Sequence, residues 1–533
     1  MTAGPPRAGF AALAFIALLV AGAGVGLLLE AMRAPQALLA APDAYLLRVV
    51  RFTLWQALLS TVLSVVPAIF VARALAGHPT FPGRALVLRL FALPLALPPL
   101  VAALGILALH GRSGLIADLY AALGGGRWPG IYGLAGILVT HTFFNLPLAT
   151  RFLLQALDTV PADQWRLVSQ LGMNARARFR FIEWPAIRAS LGGVAGLVFM
   201  LCVTSFTIVL VLGGGPAATT LEVAIYQALR FDFDPARALV LTGLQLALTG
   251  FALHLLFRLG ADLTAEANPS VSARRFSAPG TGERLANLCL IALAAIYVAA
   301  PLAAVLVAGL RADLPRLAGE AAVHRAAATS LVLAVCAAVL CLMLTYALVR
   351  TRHALADARG ARPASLAERA MDQGAGLVLV VPPIVLGAGW FILLRHFADA
   401  FAIAPIMVIT VNAVMAMPFA LRALRPAHDA AAERHDRLCA SLGITGFTRL
   451  RLIDWPALRR PFLTAFAFAM ALSLGDLGVI ALFGSDQVQT LPYLLFARLG
   501  SYRTADAAGL ALVLAVLCFA LMLLVDQRGR TSS

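Results

Sequence analysis

Apolar residues in this chain fall in long uninterrupted runs, not at the one-sided spacing of soluble helices. Runs approaching or exceeding the roughly 20 residues a helix needs to cross a bilayer occupy about 9–30, 54–76, 85–110, 130–156, 190–213 and 237–259. Six more follow at about 285–310, 325–350, 370–394, 402–424, 461–484 and 505–526. Hydrocarbon offers no partner for a free backbone N–H or C=O, so each run is predicted to be helical. The expected fold is all-α: a polytopic membrane protein of about 12 helices in two six-helix halves, 1–262 and 285–533, with a polar linker at 263–284. The first run follows Arg7 and lacks a clear small-residue cleavage site, so it reads as a retained anchor helix. Pro94, Pro98 and Pro99 imply a kink in the third helix, and Val381-Pro382-Pro383 interrupts its counterpart in the second half.

The polar interruptions carry the strongest signal. Arg166–Arg188 reads RLVSQLGMNARARFRFIEWPAIR and Arg437–Arg459 reads RLCASLGITGFTRLRLIDWPALR, with 11 of 23 positions identical at an offset of 437 − 166 = 271. The same offset maps His141 on Asn412, Pro147 on Pro418, Arg151 on Arg422, Asp158 on Asp429 and Ser205 on Asp476, so the halves are an internal repeat. Each copy, within loops at about 158–189 and 425–460, reads as two short helices joined at a glycine. Pro161 suits a first helical position, Asp429 can cap a helix start, and Gly172 and Gly443 suit the left-handed residue that ends one. The chain is expected to turn at Trp184-Pro185 and Trp455-Pro456. The result is a bent projection fit for a partner's groove; an ordinary solvated linker is the alternative, and duplication of an irregular pattern weighs against it.

Composition narrows the class. The chain is 61% hydrophobic and 13% charged, with mean hydropathy +0.88, against about 25% charged in soluble domains. The net charge of +16 is scattered between apolar runs, which excludes a nucleic-acid surface. All 42 basic residues are arginine. Without lysine there is no P-loop and no Schiff base, so the chain is no conventional ATPase and energy must come from a partner. An alternating arrangement with a cytoplasmic N-terminus puts 29 arginines on that face and 42 − 29 = 13 on the other. That asymmetry predicts both termini, and both repeated loops, in the cytoplasm.

Polar groups inside membrane helices are the remaining candidates. Asp476 is expected about 20 Å up a helix starting near Leu463, facing a wet cavity, a cation or a donor on another helix. Ser205 and Thr207 occupy the related place in the first half; His141, Asn145 and Asn412 are expected to bond neighbouring helices or line a path. Gly213-Gly214-Gly215-Pro216 reads as a turn, followed by a short interfacial or re-entrant helix whose counterpart is QTLPYLLFARLGSYRTAD. Asp232, Asp234, Arg498 and Arg503 could meet an external binding protein, with a merely solvated loop as the alternative. The six cysteines lack Cys-x-x-Cys spacing and the nine histidines form no His-x-x-x-His or Cys/His cluster, so no metal site and no cofactor are expected.

The repeated loop resembles the coupling loop of type I ABC-transporter permeases: Glu-Ala-Ala, three residues, Gly, nine residues, Ile, one residue, Leu-Pro. Gly172, Ile182 and Pro185 match, as do Gly443, Ile453 and Pro456; Arg166-Leu167-Val168 and Arg437-Leu438-Cys439 replace the acidic triplet, and Trp184 and Trp455 the leucine. The resemblance implies ATPase-coupling loops formed by Leu171, Gly172, Ile182, Trp184 and Pro185 and by Leu442, Gly443, Ile453, Trp455 and Pro456. Stretches from Val49, His141, Phe199 and Ser473 resemble the fused permeases of bacterial thiamine and thiamine-pyrophosphate ABC importers. That implies a multi-pass protein of the bacterial inner membrane that carries a thiamine-type small molecule. It also implies two copies of a cytoplasmic ATP-binding subunit and a periplasmic substrate-binding protein, with the lipid bilayer as its surroundings. A fused iron(III) importer permease shares the layout. A 6+6 ion-coupled transporter would share the helix count, but no membrane-embedded charge recurs in both halves.

Overall fold

A computed structural model describes residues 7–33, 35–36, 43–258, 280–359, 363, 365–373, 381–397, 399, 401–444, 446–485 and 488–530. Among these the regular structure is helical, without strands. The helices used below are α1 Ala8–Arg33, α2 Ala44–Gly77, α3 Pro99–His110, α4 Leu134–Asp158, α5 Ala162–Gln170, α6 Trp184–Val203, α7 Thr207–Leu212, α8 Leu221–Arg230 and α9 Pro235–Arg258. They continue as α10 Thr281–Leu310, α11 Ala321–Arg359, α12 Pro383–Leu394, α13 Ala404–Ser441, α14 Trp455–Gly475, α15 Gly478–Phe483, α16 Leu491–Gly500 and α17 Thr504–Arg530.

Eleven helical segments among the described residues are long and apolar enough to span a bilayer, against about 12 expected. The difference is the expected run at 370–394: α12 begins at Pro383 and has 12 residues, while 374–380 lie outside the described residues. Most of the expected linker, 263–279, also lies outside them. The third run is not one kinked helix. It breaks into Arg84–Leu90, Leu93–Ala96 and α3, with Leu97 extended at φ −89°, ψ 130°. A proline disfavours helical backbone at the residue before it, and Pro98-Pro99 ends the preceding turn in this way.

The packing units do not follow the order of the repeat. One compact unit comprises Met1–Ala41, Ala224–Leu246 and Ala312–Ser533; the other comprises Pro42–Val223 and Ala247–Arg311. The first helix of each sequence half therefore belongs to the unit built mainly from the other half. In the first unit α1 crosses α12 closely: a Cβ on Gly389 would lie 2.4 Å from the Ala23 carbonyl oxygen. Trp390 Nε1 donates to the Leu19 carbonyl at 2.8 Å, Arg395 pairs with Glu30 at 2.9 Å, and Gly9 N–H donates to Thr351 Oγ1 of α11 at 3.0 Å. In the second unit α10 does the same against α3 and α4. A Cβ on Gly105 would lie 2.5 Å from the Pro301 oxygen, and Tyr297 hydroxyl donates to the Val139 carbonyl at 2.7 Å.

A shared device seats the two short helices that follow the repeat's last turns. The Leu221 N–H at the start of α8 donates to Thr53 Oγ1 of α2 at 3.0 Å, and the Leu491 N–H at the start of α16 donates to Ser330 Oγ of α11 at 2.8 Å. Each hydroxyl satisfies a donor that a helix start leaves without an intrahelical partner. Most residues of α8 are buried.

Candidate functional site

The repeated segment folds into the same elbow twice. Gly172 has φ +58° and Gly443 φ +64°. Around the first, Met173 N–H donates to the Val168 carbonyl (3.1 Å) and Gly172 N–H to that of Ser169 (3.3 Å). Around the second, Ile444 N–H donates to Cys439 (2.9 Å) and Gly443 N–H to Ala440 (3.4 Å). Both are Schellman closures, which need a left-handed residue that glycine adopts without strain. In the first elbow Val160, Trp165 and Val168 form a small core onto which Met173, Ile182 and Ala186 pack.

The entry into the two elbows differs. Thr159–Pro161 separates α4 from α5, with Pro161 one position before the first helical residue, whereas α13 runs unbroken from Ala404 to Ser441. Asp429 therefore caps nothing; it lies within α13, and Arg352 donates to its Oδ2 at 3.2 Å. The position matching Pro161 is Ala432, which lets the helix continue.

The exit from the two elbows is the same and departs from the expected turn. Phe179–Glu183 and Leu450–Asp454, related by 271, both wind as π-helix and lead directly into α6 and α14. Trp184 N–H reaches the Phe179 carbonyl and Trp455 N–H the Leu450 carbonyl, five residues back. The wider turn accommodates Pro185 and Pro456, which lack an N–H, so neither proline ends the helix.

Each π-segment closes on a buried acid that the motif comparison overlooked. Glu183 accepts from Arg73 Nε at 2.7 Å and lies 3.3 Å from Arg178 Nε, while Arg178 also pairs with Glu283. Asp454 accepts from the Tyr346 hydroxyl at 2.5 Å and lies 3.4 Å from Arg449 Nε; Arg449 Nη2 also meets Asp436 at 2.6 Å. Glu183 is 1% exposed and Asp454 2%. The repeat itself contained the signal, because Arg178 matches Arg449 and Glu183 matches Asp454 at the same offset.

Apolar side chains remain uncovered at matching places: Leu167, Leu171 and Phe181 on one elbow, Leu438, Leu442 and Leu452 on the other. Trp184 is half-buried; Pro185, Pro456 and Trp455 are exposed. A groove of about 450 Å³ lies between α13 and the second π-segment, lined by Ala427, Ala431, His435, Leu452, Ile453 and Pro456.

The membrane candidates divide between the units. In one, His141 Nδ1 lies 2.9 Å from Ser60 Oγ, Asn145 Nδ2 donates to Cys202 Sγ at 3.4 Å, and Gln56 Nε2 donates to the Cys202 carbonyl at 2.9 Å. His141 and Asn145 are buried, linking α4 to α2 and α6. In the other, Asn412 Nδ2 donates to Ser473 Oγ at 3.0 Å, linking α13 to α14. Asp476 is not inside a continuous helix. It follows the end of α14 in extended backbone, and its Oδ1 accepts from Gly478 N–H at 3.0 Å, where α15 starts. Ser205 stands at the equivalent break between α6 and α7, which Thr207 opens. Of the residues expected to meet an external protein, Arg498 is engaged by Glu320 (2.6 Å) and Asp506 (3.1 Å), and Asp234 accepts from Arg237 N–H at 3.0 Å.

The family model for "Binding-protein-dependent transport system inner membrane component" matches residues 68–263 and 358–527, and each matched segment contains one elbow. The chain is 60% identical over 522 residues to the thiamine transport system permease protein ThiP of Brucella abortus strain 2308, covering 98% of this chain and 95% of that protein. It is 45% identical over 486 residues to ThiP of Escherichia coli K12 (91% and 89% covered) and 38% over 482 residues to ThiP of Haemophilus influenzae Rd (89% and 87%). With its apolar helices and doubled elbow, the chain belongs to the binding-protein-dependent transport family as a multi-pass permease of the inner membrane.

Proposed function

We propose that this chain is the membrane-spanning permease of an ATP-driven importer for thiamine and its phosphates, fed by a periplasmic binding protein. The observation that carries the reading is the elbow built twice. Two matching Schellman glycines, two π-segments, two buried acids and two sets of uncovered apolar side chains suit two identical partners, one per elbow. Those partners are two copies of an ATP-binding subunit, docking on Leu171, Gly172, Ile182, Trp184 and Pro185 and on Leu442, Gly443, Ile453, Trp455 and Pro456. Thiamine as cargo rests on the names of the relatives. The arginine asymmetry supports cytoplasmic elbows and termini.

Each elbow continues without a joint into a membrane helix, α6 or α14. Movement imposed on an elbow by closure of the ATPase pair is therefore delivered to the breaks at Ser205-Thr207 and Asp476, where each helix is interrupted. These residues, with His141, Asn145 and Asn412, are the proposed lining of the path. The test is uptake of labelled thiamine into proteoliposomes containing the permease, its ATPase and the binding protein. Uptake that requires ATP and all three components supports the proposal. Uptake driven by an ion gradient without nucleotide refutes it.

A further inference from the structure

Beside the second elbow, the end of α11 and the middle of α13 bring together His353, His428 and Asp429, whose donor atoms all lie within 4.8 Å of one another. His353 Nδ1 is 3.7 Å and His428 Nδ1 4.0 Å from Asp429 Oδ1. His428 is 2% exposed, and neither of its ring nitrogens has a hydrogen-bond partner; Asp429 Oδ1 is buried without one as well. Two imidazoles and a carboxylate thus converge with their lone pairs unused, an arrangement that hydrogen bonding alone leaves unsatisfied.

The surroundings are those of a built site. His353 Nε2 lies 2.8 Å from Asp436 Oδ2, which fixes the proton on Nε2 and leaves Nδ1 as a lone-pair donor. Arg352 holds the other oxygen of Asp429, Oδ2, at 3.2 and 3.3 Å. Asp436 is in turn bound by Arg449, the partner of Asp454 in the elbow. We propose that His353, His428 and Asp429 bind one zinc ion, leaving a fourth position for water. Nitrogen and oxygen donors of this kind suit zinc, at about 2.0–2.2 Å from the metal and so about 3.3 Å from one another; modest side-chain rotation closes the observed spacing. The ion would clamp α11 to α13 at the base of the second elbow only. The positions matching His428 and Asp429 in the first half are Leu157 and Asp158, which supply no second imidazole. This inference is independent of the transport reading.

The test uses the tag-free, full-length protein in detergent, stripped by a chelator and titrated with Zn²⁺ against a chromophoric indicator. One equivalent per chain is expected. Co²⁺ in its place should give the intense visible bands of a four-coordinate site. His353→Gln and His428→Gln should each lower affinity at least about 100-fold and remove the Co²⁺ bands, and Asp436→Asn should lower it about 10-fold. His396→Gln, whose imidazole bonds the Ile392 carbonyl elsewhere, should bind as the parent does. Failure of the parent protein to bind, or binding that the His353 and His428 variants retain, overturns the assignment. The parent's Co²⁺ spectrum decides the matter even where a variant misfolds.

Discussion

Replacing Glu183 by alanine tests whether the elbow is held by its buried acid. Removing one side of a buried ion pair typically costs about 3–5 kcal/mol, because the remaining charge has neither water nor partner. Here two guanidiniums remain, with side chains 23% (Arg73) and 11% (Arg178) exposed, and Arg178 keeps Glu283. Partial hydration and that second carboxylate reduce the expected loss to about 2–3 kcal/mol. Asp454→Ala should lie in the same range, since Arg449 keeps Asp436 while the Tyr346 hydroxyl loses its acceptor. The assay is denaturant unfolding in mixed micelles, combined with a double-mutant cycle. Glu183→Leu with Arg178→Met should destabilise less than the sum of the single changes. Losses below about 0.5 kcal/mol for both alanine variants, within the noise of ordinary surface substitutions, would refute the view that these acids hold the elbows.

Further outcomes follow from single positions. Gly172→Val and Gly443→Val meet no neighbour within 4 Å, so their only penalty is the positive φ; each should cost about 1–2 kcal/mol and impair ATP-coupled uptake, whereas asparagine at either site should largely preserve it. Gly389→Val should displace α1 from α12, read as faster proteolysis of the N-terminal helix. Burial pushes the Glu222 carboxyl up to about 8 from 4.5. Its folded-state value is raised, so its contribution to stability is full below about 4.5 and is lost as pH rises through about 8. Thermal melts at pH 5 and 9 should show Glu222→Gln removing part of that decline, and an unchanged pH profile would contradict the burial argument.

The spans and the repeat were legible because hydrocarbon imposes long apolar runs and duplication leaves an arithmetical trace. The Schellman glycines were legible for a related reason: few residues tolerate left-handed backbone. Local rules failed where non-local structure decides. Pro185 and Pro456 looked like helix ends, yet a π-turn absorbs them, and Asp429 looked like a cap where an unbroken α13 makes it an ion-pair partner. The exchange of α1 and α10 between packing units leaves no mark on periodicity, since any apolar face can pack in either place. His353 and His428 stand 428 − 353 = 75 residues apart, so spacing motifs could not pair them.

The proposed gripping of the elbows by a nucleotide-hydrolysing partner is most directly tested by cross-linking. With Leu171→Cys or Leu442→Cys in an otherwise cysteine-free permease, the account predicts a disulfide to a cysteine in the ATPase groove for each elbow separately, at a yield that changes on ATP binding. Absence of any such cross-link in a complex that still transports thiamine would contradict it.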